Sequence, residues 1–276
     1  MSIHEQRGAG LRRAAISIAV IAASGSGLLI VLESGGASPR PVAIESATPQ
    51  ELATQITDND ATLREAVDSW RASGGDPPAT PPPVEVALPA RYVQGVTQLL
   101  AKDRTLAAGT LPLLAPALAS EIRELTLAAR ALLRLSKGSK HRKLEVGSAP
   151  PLAELVGHYG AAQRASGVGP GYLAAIHLVE TKFGKVKSKS VAGAKGPMQF
   201  IPSTWRIYGK DGDINDPRDA IFAAARLLRD KGAPGNYKRA LYSYNPSTLY
   251  VEAVRRYARV INGDPYVLPI LYCWEP

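Results

Sequence analysis

Apolar positions along the chain fall into three regimes. From Ala14 to Leu32 the chain runs 19 residues without a charge. As a helix such a run reaches about 28 Å, close to the thickness of the hydrocarbon layer of a bilayer. From Pro49 to Arg71, Leu52, Ile56, Leu63, Val67 and Trp70 recur at helical spacing, which predicts an amphipathic helix. Gly74 to Pro83 (GGDPPATPPP) breaks that period and predicts an extended segment. A second helical tract follows, interrupted by Pro112 and Pro116. Within it Leu118, Ile122, Leu125, Ala129 and Leu132 form a stripe at four- and three-residue steps, as in a stalk that packs on itself; the stripe is too short to prefer a partner-binding coiled coil. Beyond residue 150 helices are predicted near 151–165, 171–183, 202–208, 217–231, 236–243 and 248–261. Asp216–Pro217 is a start signal among them, an acceptor at the cap followed by a proline suited to the first turn. The fold class is mainly α.

The same pattern divides the chain. Residues 1–33 are a basic start and an apolar segment, and 34–93 a flexible, partly helical Pro/Ala-rich tether. A helical stalk is expected over 94–136, a basic linker over 137–150 (with KGSKHRK at Lys137–Lys143), and a compact domain over 151–276. Arg7, Arg12 and Arg13 precede the apolar run, so the positive-inside rule leaves the bulk of the chain outside the cytoplasm. An uncleaved single-pass anchor in the cell membrane is the favoured reading. A signal peptide shares the basic start and apolar middle, and Gly36–Ala37–Ser38 offers a cleavage region, after which the protein would be secreted. No cysteine follows the run, which excludes a lipoprotein anchor.

Composition sharpens the division. Residues 151–276 hold 15 of the 17 aromatic residues, so the compact core is expected there. They also carry 17 Lys/Arg against 10 Asp/Glu, whereas residues 1–150 carry 16 against 14. A domain this basic favours polyanionic partners: nucleic acid, anionic lipid or an acidic cell-wall polymer. Export and the absence of a recognisable nucleic-acid motif argue against the first. A single cysteine, Cys273, excludes an intramolecular disulfide and any cysteine-based zinc site. His4, His141, His158 and His177 have no metal-ligand spacing. The acidic run Asp211–Asp219 fails the EF-hand pattern, with Asp216 and Phe222 where Gly and Glu would be needed. Capping is the better role for it. No metal or cofactor is expected.

Glu180 stands out. It closes the run Tyr172-Leu-Ala-Ala-Ile-His-Leu-Val179, seven of whose eight residues are apolar or aromatic. A carboxylate at a helix C-terminus gains nothing from the dipole, and apolar surroundings raise its pKa toward that of a general acid. Position alone favours an exposed glutamate paired with Lys182 or Lys185. The surrounding sequence changes the balance. Glu180-Thr-Lys-Phe-Gly184, Ser190-Val-Ala-Gly-Ala-Lys-Gly-Pro-Met-Gln-Phe-Ile-Pro-Ser-Thr-Trp205 and Ser243-Tyr-Asn-Pro-Ser247 with Tyr250-Val251 resemble lytic murein transglycosylases. The nearest are the membrane-bound B-type enzymes, whose domain is lysozyme-like. The resemblance covers about residues 151–262, and its motifs occur in order.

It implies that Glu180 is the single catalytic acid/base on peptidoglycan glycan strands. Ser190 and Gln199 match positions that contact the sugar and its N-acetyl group. Tyr244 matches a tyrosine close to the catalytic carboxylate, Asn245 its partner, Tyr250 a second active-site tyrosine, and Met198 a position lining the glycan cleft. For Met198 a core role is an equal expectation. The nine residues between Glu180 and Ser190 lack an insertion found in the long B-type enzymes, and the calcium-loop region is shortened. A lysozyme-type hydrolase using an aspartate of Asp211–Asp219, and a non-catalytic wall-binding or scaffold module, are the alternatives. Residues 49–136 are a candidate surface for cell-wall machinery. The apolar tail Asp264–Pro276 is expected to pack on the domain.

Overall fold

The computed structural model describes residues 47–137 and 143–276. Local signals set its helix boundaries. α1 (Pro49–Gly74) begins at Thr48, whose hydroxyl accepts the Glu51 N–H while the Glu51 carboxylate accepts the Thr48 N–H. This reciprocal cap satisfies two donors that a helix start leaves unpaired. α2 (Val84–Lys102) and α3 (Arg104–Thr110) follow, the latter capped by Asp103, and then a 3-10 turn at Leu111–Leu113. α4 (Pro116–Ser136) completes the N-terminal group. The C-terminal group is α5 (Leu152–Ser166), α6 (Pro170–Thr181), α7 (Pro202–Tyr208), α8 (Pro217–Asp230), α9 (Tyr237–Tyr244), α10 (Thr248–Gly263) and α11 (Val267–Tyr272). Among the described residues there is no strand, only isolated antiparallel bridges joining Val146 to Val186 and Lys195 to Phe200.

α6 is the axis of the molecule, with every residue from Leu173 to Thr181 buried. α10 lies against it at close range: a Cβ on Gly171 would stand 2.1 Å from Asn262 Oδ1. α4 covers the far side of α10, and α2 packs on α4. The stripe of Leu118, Ile122, Leu125 and Ala129 is buried in this contact, so α4 is not a free-standing stalk. Burying one such leucine contributes about 1.5–3 kcal/mol.

The tether and stalk expected over 34–136 thus differ from what residues 49–136 form. The proline-rich segment is a turn that folds α2 back along α1, held by Ala79 N–H to Gly74 C=O and by Trp70 Nε1–H to Thr80 Oγ1. Composition reads as a spacer here because prolines suit a tight reversal as well as an extended one. Arg64 of α1 reaches Asp60, Glu121 of α4 and Asp264 after α10. Glu124 of α4 binds Arg256 and Arg259 of α10. Gln94 of α2 exchanges two hydrogen bonds with the Glu275 backbone, at 2.8 and 2.9 Å, and Trp70 stacks on Tyr272. The C-terminal tail packs as expected, and its last turns form α11, with Trp274 beyond it buried.

Two expected features fall on residues that lie outside those described: the apolar run Ala14–Leu32 and the centre of the basic linker, 138–142. Among the described residues no helix is long and apolar enough to cross a membrane. The rest of the linker is not loose. Gly147 N–H donates to Lys185 C=O, Lys187 N–H to Glu145 C=O, and Glu145 N–H to Ser188 Oγ at 2.6 Å. Residues 145–147 therefore run as a short ribbon beside 185–188.

Candidate functional site

The end of α6 is unusual. Lys182 and Phe183 both take left-handed backbone conformations, φ 51° and 60°, before Gly184 at 86°. A bulky side chain rarely adopts that region, and strain of this kind persists where surrounding contacts over-determine it. Here the contacts come from Thr181. Its hydroxyl donates to Pro197 C=O at 2.6 Å and accepts the Gly184 N–H, while its carbonyl accepts the Val186 N–H. The helix is stopped sharply, one residue after Glu180.

The segment 190–200 folds over this end. Ser190 and Ala194 pair through their backbones, and Ser190 Oγ accepts the Ala194 N–H. Gly196 sits at φ 73°, where a Cβ would come within 1.8 Å of Ile214 C=O. Only glycine lets the segment and the 211–216 loop approach so closely. Gln199, at φ 48°, returns its Nε2–H to Gly196 C=O at 3.1 Å. The Met198 side chain is fully buried, so of its two expected roles the structure gives the core one. Its carbonyl accepts the Tyr244 hydroxyl at 2.5 Å.

Tyr250, in the first turn of α10, donates its hydroxyl to Glu180 Oε1 at 2.8 Å. Tyr244, at the end of α9, lies parallel to it with ring centroids 6.3 Å apart. Of the two tyrosines expected near the carboxylate, Tyr250 bonds it directly, and Tyr244 braces Tyr250 and the Met198 backbone. Asn245 follows α9, buried, with Nδ2 unpartnered. Glu180, Ser190, Met198, Gln199, Tyr244, Asn245 and Tyr250 are all buried around the α6–α9–α10 junction and the 190–200 segment.

Electrostatics follow from that burial. Glu180 is 4% exposed and its carboxyl is pushed up to about 8 by desolvation, with the Tyr250 hydrogen bond pulling the other way. Oε2 makes no hydrogen bond among the described residues and is not among the fully buried unpartnered atoms. No lysine neutralises it. The Lys185 ammonium is spent on Tyr272 C=O and Trp274 C=O, at 2.9 and 2.8 Å. Lys182 is half-buried and in no ion pair among the described residues, its ammonium lowered to about 8 by desolvation and by Lys185. His177, one turn before Glu180, is fully buried and held near 3 by desolvation; its Nδ1 bonds the Tyr159 hydroxyl at 2.8 Å. The result is a carboxylic acid that keeps its proton at neutral pH.

The acidic run behaves as a cap and loop. Asp216 Oδ1 accepts the Asp219 N–H at the start of α8, and Asp219 Oδ2 the Asp213 N–H. Among the described residues no group of three His, Cys, Asp or Glu is arranged to hold a metal. Cys273 is buried and its thiol donates to Pro269 C=O. Sequence reasoning missed Thr181 and the ribbon at 145–147. Thr181 had a signal, its place beside Glu180 inside the motif; the ribbon had none, because Glu145-Val-Gly147 is too short for an alternating pattern.

Residues 158–264 match the family model of the transglycosylase SLT domain. That stretch is accordingly an SLT transglycosylase domain of the lysozyme-like superfamily, which supports lytic transglycosylase activity on peptidoglycan in general. No curated protein and no solved structure matches the chain.

Proposed function

We propose that the chain cleaves the β-1,4 bond between N-acetylmuramic acid and N-acetylglucosamine, leaving a 1,6-anhydromuramyl end, with Glu180 as the single acid and base. One observation carries this reading: a carboxyl buried at the end of α6, bonded by the Tyr250 hydroxyl at 2.8 Å through one oxygen, with the other unbonded among the described residues. Glycoside hydrolysis ordinarily takes two carboxyl groups flanking the bond. Here Asp213, Asp216 and Asp219 are engaged in their own loop.

With one carboxyl group the substrate supplies the rest. Glu180 gives its proton to the bridging oxygen as the bond from the muramyl C1 breaks. The muramyl N-acetyl carbonyl stabilises C1, oriented by the Ser190 hydroxyl, which accepts one backbone N–H and keeps its own proton to donate. The ionised Glu180 then takes the proton of the muramyl C6 hydroxyl as that oxygen bonds to C1. Water is not consumed, and Glu180 ends protonated as it began. The Tyr250 hydroxyl supports the ionised intermediate state of Glu180. Asn245 Nδ2, unpartnered, and Gln199 serve the substrate amides; Met198 acts through its carbonyl. Attachment to the cell membrane through Ala14–Leu32, export, and kinship with the B-type enzymes rest on the sequence pattern and motifs.

Mass spectrometry of purified peptidoglycan digested with the full chain, beside Glu180→Gln, tests the reading. Muropeptides one water lighter than hydrolysis products, absent with Glu180→Gln, are expected. Full-mass reducing ends would make the chain a hydrolase. Binding with no release by either protein would make it a wall-binding module.

A further inference from the structure

A groove of about 570 Å³ lies between α9 and α10. It is strongly basic. Lys238, Arg239, Arg255, Arg256 and Arg259 line it, against the single carboxylate of Glu252. Arg256 and Arg259 are partly neutralised from behind by Glu124. Lys238, Arg239 and Arg255 have no side-chain partner among the described residues. Glu252 is paired with Arg256, so the three other cations lining the groove repel one another, and an anion would relieve that repulsion. Tyr242, 45% exposed, adds an aromatic face with a hydroxyl.

Two further features narrow the ligand. Ser243 and Val251 line the groove, and they are the chain neighbours of Tyr244 and Tyr250. The groove and the tyrosine that bonds the acid therefore share the α9–α10 elbow. From Thr248 to Arg259 it follows α10 for about 16 Å, at 1.5 Å per residue. An extended peptide of five residues spans at most about 17 Å. Guanidinium forks match carboxylates in pairs, as a point charge does not.

We propose that this groove binds the carboxylate-bearing peptide stem carried by the glycan whose muramyl unit sits at Glu180. The inference rests on the function proposed above and deepens it: glycan at the α6 end, stem carboxylates on Lys238, Arg239 and Arg255. A free phosphodiester polymer is the competing occupant, and it would need no continuity with the acid.

The test uses the full chain carrying Glu180→Gln, so that ligand survives, and fluorescently labelled glycan strands with stems intact or removed by an amidase. Intact strands are expected to bind at least tenfold more tightly than stripped ones. Adding Lys238→Glu, Arg239→Glu and Arg255→Glu should erase that difference, and rising salt should shrink it. Equal affinity for the two strands, or a triple variant that keeps the preference, overturns the proposal. So does displacement of intact strands by a poly(glycerol phosphate) chain at lower concentration than by free stem peptide. If the charge reversals fail to fold, the three glutamine replacements make the same comparison. Product release from stripped strands by the chain with Glu180 intact reads the chemistry separately. Release there with no stem preference sinks the groove alone, whereas no release from either strand sinks the proposed reaction.

Discussion

Glu180 and Tyr250 make opposing demands on one proton. Burial holds it on the carboxyl, and the Tyr250 hydroxyl favours letting it go. Tyr250→Phe removes the second influence, so kcat is expected to fall about 10- to 100-fold, the scale of one hydrogen bond to a charge. The alkaline limb of the rate profile, which falls as pH rises through about 8 in the wild type, should move upward. Tyr244→Phe loses a bond to a carbonyl instead and should cost less without moving that limb. Stability has its own sign. The unfolded chain gives up the Glu180 proton near 4.5 and the folded one near 8. Folded stability therefore declines as pH rises between those values and levels off above them. Glu180→Gln removes the dependence, so its melting temperature should exceed the wild type's at pH 9 and match it near pH 4, by thermal melts at both. These residues were legible because motif and apolar context coincided at Glu180. The division between the two tyrosines was not, since both read as aromatics with a hydroxyl.

At the scale of elements, the helices beyond residue 150 could be read from period and caps. α8 starts where Asp216–Pro217 signals it, and α6 ends two residues earlier than its periodicity suggests. The early stop is tertiary: Thr181 binds Pro197, far along the chain, and no local pattern encodes that. α11 was hidden because Pro269 interrupts an already short apolar run. The 190–200 segment offers a paired test of backbone demand. Gly193 and Gly196 share left-handed φ values, 78° and 73°, but only Gly196 faces a neighbouring carbonyl. Gly193→Ala should cost about 1 kcal/mol, the conformational penalty alone. Gly196→Ala should cost more than about 3 kcal/mol and disable the site, because the 211–216 loop must move away. Urea melts of the two variants give the comparison.

For the whole molecule, the domain that carries the site is packed against the N-terminal helices. α4 buries the outer face of α10, Arg64 joins α1 to α4 and to Asp264, and Gln94 holds Glu275. Residues 145–276 expressed by themselves should melt at lower temperature than the full chain and bind a hydrophobic dye. Residues 47–137 added in trans should restore part of the difference. Composition pointed the other way, because the N-terminal half has almost no aromatics. Its core is built from leucine, alanine and valine at helical spacing, which bury as well but advertise a core less.

The seat of Lys185 gives these connections an order in time. Its ammonium rests on the carbonyls of Tyr272 and Trp274, and Lys185 lies at the turn that ends the helix bearing Glu180. A ribosome makes that turn long before it makes residues 272–274, so the nascent chain carries Lys185 without its seat. At ~5–20 residues per second the interval lasts several seconds. The turn that closes the helix of Glu180 is therefore seated only once residues 272–274 have been made and docked.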